Sequence, residues 1–193
     1  MLGELPITIT KTDAQTLEPS VCEGSVTDFS EAYYYIKYRG NPYFESSLNI
    51  IESNRREWIF KTDEKGQVSV SEKFRDNKVY GDDFFECQGK IVAPLGVYSV
   101  QEVEPPEGYL LSDHTYIVTL SADDFSPTGL KTIFIDEKTG QNIEQILDPQ
   151  TGINSVSVLE QVIRGDYKFT KINNDNDTLP GIPFKITSKT TGE

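Results

Sequence analysis

The sequence predicts an all-β protein folded as a Greek-key β-sandwich. Three observations lead there. First, apolar and polar residues alternate in short runs: "ITITK", "YSVQE", "TYIVTL" and "VSVLEQV". Second, turn-forming clusters separate these runs: "GNP" at 40–42, "DEKG" at 63–66, "DEKTG" at 136–140 and "DPQTG" at 148–152. Third, helical periodicity is nearly absent. Only "NIIESNRREWIF" at 49–60 suits a turn or two of helix.

Taken in order, each run has its own reason to be a strand. In "ITITK", Ile7, Ile9 and Lys11 share one face, and Thr8, Thr10 and Thr12 share the other. "EAYYYIKYR" at 31–39 sends Tyr34, Ile36 and Tyr38 inward and Tyr33, Tyr35 and Lys37 outward. That is read as a core strand with a tyrosine-bearing outer face; a carbohydrate- or protein-binding patch is the alternative reading of that face. Trp58 and Phe60 alternate around Ile59 and belong to the core or its rim. In "YSVQE", Glu102 shares the face of Tyr98 and Val100, and in "VSVLEQV" Glu160 shares the face of Val156, Val158 and Val162. Three ionisable groups, Lys11, Glu102 and Glu160, thus point inward from three strands. Burying one alone is costly, so the pattern predicts that they meet.

Composition bounds the function. The chain has 193 residues, with 18 basic against 31 acidic side chains and a net charge of −13. That balance opposes nucleic acid and anionic membranes as partners, because there is no basic stripe to neutralise phosphates. No apolar run approaches the ~18 residues of a membrane span, and the opening "MLGELPITITK" has no signal-peptide pattern. Cys22 and Cys87 make neither a disulfide framework nor a zinc motif and are read as two unpaired thiols. A single histidine, His114, argues against a His-based metal site or a nucleophile–His relay. No cofactor or metal is expected, and no enzyme.

The chain also repeats itself. "ITITKTD" at 7–13 recurs as "YKFTKIN" at 167–173, so Lys171 occupies the place of Lys11. Residues 1–165 are therefore read as one full domain and residues 166–193 as the start of a second, similar one. "RGD" at 164–166 falls in the connection and is read as linker. "NNDND" at 173–177 spaces its oxygens like a calcium loop but has Phe184 where such a loop needs a glutamate, so it is read as a solvated turn. "LPGIP" at 179–183 lacks the features of a sorting signal.

The runs "ITITKTD", "WIFKTDEKGQVSV", "APLGVYSVQEVEPPEGYLL" and "GIPFKITSKTTGE", in this order, resemble the Cna-B-type, prealbumin-like domains of Gram-positive surface adhesins and pilins. The most specific match is Tyr-x-x-x-Glu-x-x-x-Pro-x-Gly-Tyr, filled by Tyr98, Glu102, Pro106, Gly108 and Tyr109. The resemblance implies a β-sandwich with a mainly mechanical role in an extracellular, cell-wall-anchored protein. Its partners would be adjacent domains of the same protein and, as ligands, a host matrix protein or glycan.

Many such domains form an intramolecular isopeptide bond between a first-strand lysine and a last-strand asparagine or aspartate, with a nearby acid moving the proton. Burial disfavours the charged forms of amine and acid alike, which gives a nucleophile and a proton donor. By resemblance, Lys11 matches the nucleophile, Glu102 the acid, and Lys171 the nucleophile of the second domain. The acceptor position ahead of the linker holds Glu160 rather than asparagine; Asn154 has the same strand parity, six residues earlier. These residues favour a buried Lys–Glu cluster without a cross-link.

Overall fold

A computed structural model describes residues 5, 7–13, 29–42, 55–123, 129–148, 153–160 and 170–185. Twelve strands are seen among them, in chain order. They are β1 (Ile7–Asp13), β2 (Tyr33–Gly40), β3 (Arg56–Lys61), β4 (Gln67–Val68), β5 (Lys78–Gly81), β6 (Glu86–Cys87), β7 (Lys90–Ile91), β8 (Gly96–Glu104), β9 (Thr115–Ala122), β10 (Leu130–Asp136), β11 (Ile146–Leu147) and β12 (Asn154–Glu160).

Two sheets make the sandwich. One has the order β11-β12-β1-β4 and the other β10-β9-β8-β2-β3-β5. Within the larger sheet β2, β3 and β5 follow one another antiparallel, and β8 returns to lie beside β2. That order, β8-β2-β3-β5, is a Greek key. In the smaller sheet β1 runs parallel to β12 along its whole length, from Ile7 opposite Asn154 to Asp13 opposite Glu160. A short hairpin, β6-β7, stands apart.

Alternation decides what the sandwich encloses. Ile9, Val68, Val156 and Val158 of the smaller sheet join Tyr34, Ile36, Trp58, Phe60, Tyr98, Val100, Val118 and Phe134 of the larger one in a single core. Aromatic rings supply much of its volume; two tyrosine hydroxyls reach partners, whereas the buried Trp58 Nε1 has no hydrogen-bond partner among the described residues. The Tyr38 hydroxyl donates to the Leu95 carbonyl at 2.9 Å, and the Tyr98 hydroxyl to that of Pro94 at 2.7 Å. Trp58 stacks on Phe84 with ring centroids 6.0 Å apart. Between β2 and β8 the backbones approach so closely that a Cβ at Gly96 would lie 2.4 Å from the Gly40 carbonyl oxygen. Glycine is the residue that admits such contact.

Residues 49–60 depart from the helical expectation. Arg56–Lys61 is strand β3, and Trp58 and Phe60 both face the core. Period-two burial of two large aromatics outweighs a weak helical propensity. Residues 49–54 lie outside the described residues, as do Cys22, the "RGD" of 164–166 and residues 149–152 of the "DPQTG" turn. Cys87 is exposed and carries a free thiol. Beyond β12, residues 170–185 are largely exposed. There the Asn173 side-chain oxygen accepts the N–H groups of Asp175 and Asp177, each at 2.9 Å. "NNDND" is thus a turn closed on its own first residue, bridged by Ile172 and Thr178.

The "DEKTG" turn closes around the buried Asp136 that ends β10. Its carboxylate accepts the Lys138 N–H at 3.0 Å and the Thr139 hydroxyl at 2.8 Å, and lies 2.9 Å from His114 Nδ1. Burial works against the charged carboxylate. The bonds from Thr139, His114 and Lys138 outweigh it and hold the carboxyl below the ordinary aspartate range. A group lowered in the folded state adds stability that is full above its unfolded value and is lost as pH falls through the folded one. Asp136→Asn is therefore expected to flatten the acid limb of melting temperature against pH. An acid limb identical to that of the wild type would contradict this account of the turn.

Candidate functional site

The site is built around a lysine inside an apolar strand. β1 sits between β12 and β4, so its residues are hemmed in on both sides. Strand alternation puts Lys11 on the same face as Ile9, and its side chain is fully buried. The amine crosses the sandwich to the larger sheet, where Lys11 Nζ meets Glu102 Oε1. The ring of Tyr34 lies beside the amine, its centroid 5.6 Å away.

Glu102 is placed by two local devices. The ladder between β2 and β8 slips here: Tyr34 faces Glu102, and the next residue, Tyr33, faces Glu104. Val103 is the extra residue of a β-bulge, a device that re-aims neighbouring side chains. The chain then turns sharply through Pro105, Pro106, Glu107, Gly108 and Tyr109. The Tyr109 N–H donates to the Pro106 carbonyl at 3.2 Å, and Gly108 adopts φ 88°. Pro106 and Tyr109 are buried, which fixes the path of the return. That return brings the Ser112 N–H to Glu102 Oε2 at 2.9 Å.

The stiff turn therefore has a chemical purpose. One carboxylate oxygen takes the lysine and the other takes a backbone donor, so both oxygens of the buried carboxylate are satisfied. An unpaired charge at this depth would cost several kcal/mol, and paired, hydrogen-bonded burial is the arrangement that tolerates it. The pair also joins the two sheets with a contact that is polar, directional and dry.

The other residues singled out in the sequence sit elsewhere. Val158 is the partner of Lys11 on the β1–β12 ladder, whereas Asn154 stands opposite Ile7. Four positions at ~3.3 Å each put Asn154 about 13 Å along the strand from that partner. Its Nδ2 donates to Thr132 Oγ1 on β10 at 2.8 Å. Gln145 holds the same threonine through Thr132 Oγ1 at 2.5 Å and Thr132 O at 3.1 Å. The structure does not bring Asn154 to Lys11. The backbone places Glu160 two residues beyond Val158, opposite Asp13, and its side chain lies outside the described residues. Lys171 is exposed, and its carbonyl accepts the Leu179 N–H at 2.8 Å.

Two contributors were not visible in the sequence. Ser112 acts through its backbone, so its residue type carries no signal; only the Pro–Gly turn before it hints at the return. Thr132 is the true partner of Asn154 and lies 22 residues away in sequence.

Among solved structures, the chain is similar to the C-terminal fragment of the pilus adhesin SpaC from Lactobacillus rhamnosus GG. The TM-score is 0.43 at 12% identity, covering 84% of this chain and 46% of that one. The same adhesin in its open conformation gives a TM-score of 0.37 at 11% identity, covering 81% of this chain and 16% of that one. The chain thus spans less than half of either structure. A comparison with protein-family models found no match, and neither did one with curated proteins. At these levels of likeness the site is read from its own geometry.

Removing one member of a buried pair costs about 3–5 kcal/mol, because the other is left uncompensated. Lys11→Met is expected to destabilise the fold by that order. Lys11→Met combined with Glu102→Gln is expected to recover part of the loss in denaturant unfolding. Strictly additive losses would show that the two side chains do not interact.

Proposed function

We propose that this chain is a mechanical module of a Gram-positive surface protein of pilin or adhesin type, built on a Cna-B-like sandwich and displayed outside the cell on the cell wall. The observation that carries this reading is the parallel pairing of β1 with β12, pinned by the buried Lys11–Glu102 contact. Tension applied to the start of β1 and the end of β12 pulls two adjacent parallel strands in opposite directions. The ladder bonds are then loaded together in shear instead of being opened one at a time. Lys11 anchors β1 to the opposite sheet and resists its sliding. The motif of Tyr98, Glu102, Pro106, Gly108 and Tyr109 supports the family resemblance, and the recurrence of the Lys11 motif at Lys171 supports a tandem arrangement from residue 166 onward. The role is structural and not enzymatic, with adjacent domains as its constant partners.

In this reading Lys11 stays an amine. Glu102 engages it and is itself held by Ser112, while Asn154 is bonded to Thr132. Intact-mass measurement is expected to give the full sequence mass. A deficit of one ammonia would mean amide formation with an asparagine, and a deficit of one water amide formation with an acid; either overturns the uncrosslinked reading. Single-molecule pulling from the ends of β1 and β12 is expected to show a high unfolding force that falls in Lys11→Met. A low force unaffected by Lys11→Met would overturn the mechanical one.

A further inference from the structure

The outward face of the larger sheet has a chemistry unlike the rest of this acidic chain. On β2 the outward residues after Tyr33 are Tyr35, Lys37 and Arg39. Arg55 flanks the start of β3, and the pairing of Tyr38 with Arg56 places it one step further along, beside Arg39. Three cations therefore crowd a few residues of sheet in a protein with net charge −13. Like charges on facing positions of neighbouring strands repel.

Two of the three are neutralised. Lys37 Nζ lies 3.2 Å from Glu57 Oε2, and Arg39 lies 3.4 Å from Glu137 Oε1. Arg55 has no carboxylate or hydrogen-bond partner among the described residues. It borders a cleft of about 360 Å³, within the range of small-molecule sites. The far wall of that cleft is Ser99, Gln101 and Thr115. Their side-chain hydroxyl and amide groups likewise have no hydrogen-bond partner among the described residues. Tyr35 lines the floor and donates its hydroxyl to Glu57. Burial, and then Glu57, push that phenol up to about 12, so it stays neutral.

We propose that this cleft binds a short carboxylated oligosaccharide, with Arg55 anchoring the carboxylate and Ser99, Gln101 and Thr115, across β2 from it, reading the sugar hydroxyls. One uncompensated positive charge matches one carboxylate, for which the guanidinium offers two parallel donors. A sulfated polyanion fits less well, because the surrounding net negative charge repels it. An acidic peptide also fits less well. β2 is bonded on both sides, to β8 and β3, and β8 on both sides, to β9 and β2, so neither offers a free backbone edge to an extended chain. The neutral hydroxyls and amide lie across β2 from the one unpaired cation, an arrangement that suits an extended ligand rich in hydroxyls with a single charge at one end.

The inference is independent of Lys11 and of the mechanical reading, and its test leaves that pair untouched. The full chain is titrated with sialyllactose, a glucuronic acid-containing disaccharide, neutral lactose, a sulfated heparin disaccharide and an oligoglutamate peptide, followed by NMR. At least one of the two carboxylated sugars is expected to shift the signals of Arg55, Gln101 and Thr115, and lactose is expected not to. Arg55→Gln is expected to weaken that binding about tenfold or more, the effect of losing a charge-assisted hydrogen bond. Lys65→Gln, in the exposed turn between β3 and β4, is expected to leave it unchanged. Shifts with neither carboxylated sugar, equal affinity in Arg55→Gln, or tighter binding of the sulfated sugar or the peptide would each overturn the proposal.

Discussion

A lysine amine and a glutamate carboxylate, both removed from water, meet between the two sheets, and much of the architecture exists to make that contact tolerable. β1 must be an interior strand, flanked by β12 and β4, for Lys11 to be enclosed. β8 must bulge at Val103 beside Glu102. The connection to β9 must double back through two prolines and a glycine so that the Ser112 N–H reaches the second carboxylate oxygen. Each of these features would be a weakness alone: a bulge interrupts a ladder, and a buried charge opposes folding. Together they satisfy one another. Hydrophobic burial supplies the general driving force, and this polar contact fixes how β1 and β8 sit across the core.

Much of this was legible in the sequence because a strand writes its two faces in alternate letters. The inward tyrosines of β2, the inward position of Lys11 and the shared face of Tyr98, Val100 and Glu102 all follow from period two. Long-range register does not follow from it. The sequence holds nothing that places Asn154 opposite Ile7 or Thr132 within hydrogen-bond reach of its amide. The helical reading of residues 49–60 failed at Arg56–Lys61 for a related reason. Trp58 and Phe60 are two apart, a spacing that a short window shares between strand and irregular helix, and only pairing with β2 and β5 decides it. The contribution of Ser112 is a backbone N–H, which every residue but proline has.

The same alternation separates two kinds of chemistry on one strand. β2 turns Tyr34, Ile36 and Tyr38 into the core and presents Tyr35, Lys37 and Arg39 to solvent. The buried half serves cohesion and the exposed half is free to serve recognition. Substitutions at Lys37, Arg39 or the flanking Arg55 can therefore alter the surface without reaching Lys11 or Glu102. Under the proposed reading of a module that carries tension and binds a sugar, that division keeps the residues of one task apart from those of the other.

The central claim is that the Lys11 amine is held dry by Glu102, and nitrogen-detected NMR of protein labelled on its lysine side-chain nitrogens tests it most directly. An amine in that environment is shielded from solvent, so its protons exchange slowly enough to give a distinct ammonium or amine signal while surface lysines do not. The account predicts one such signal, absent in Lys11→Met and displaced in Glu102→Gln. The lack of any slowly exchanging lysine signal, or one indifferent to Glu102→Gln, would contradict it.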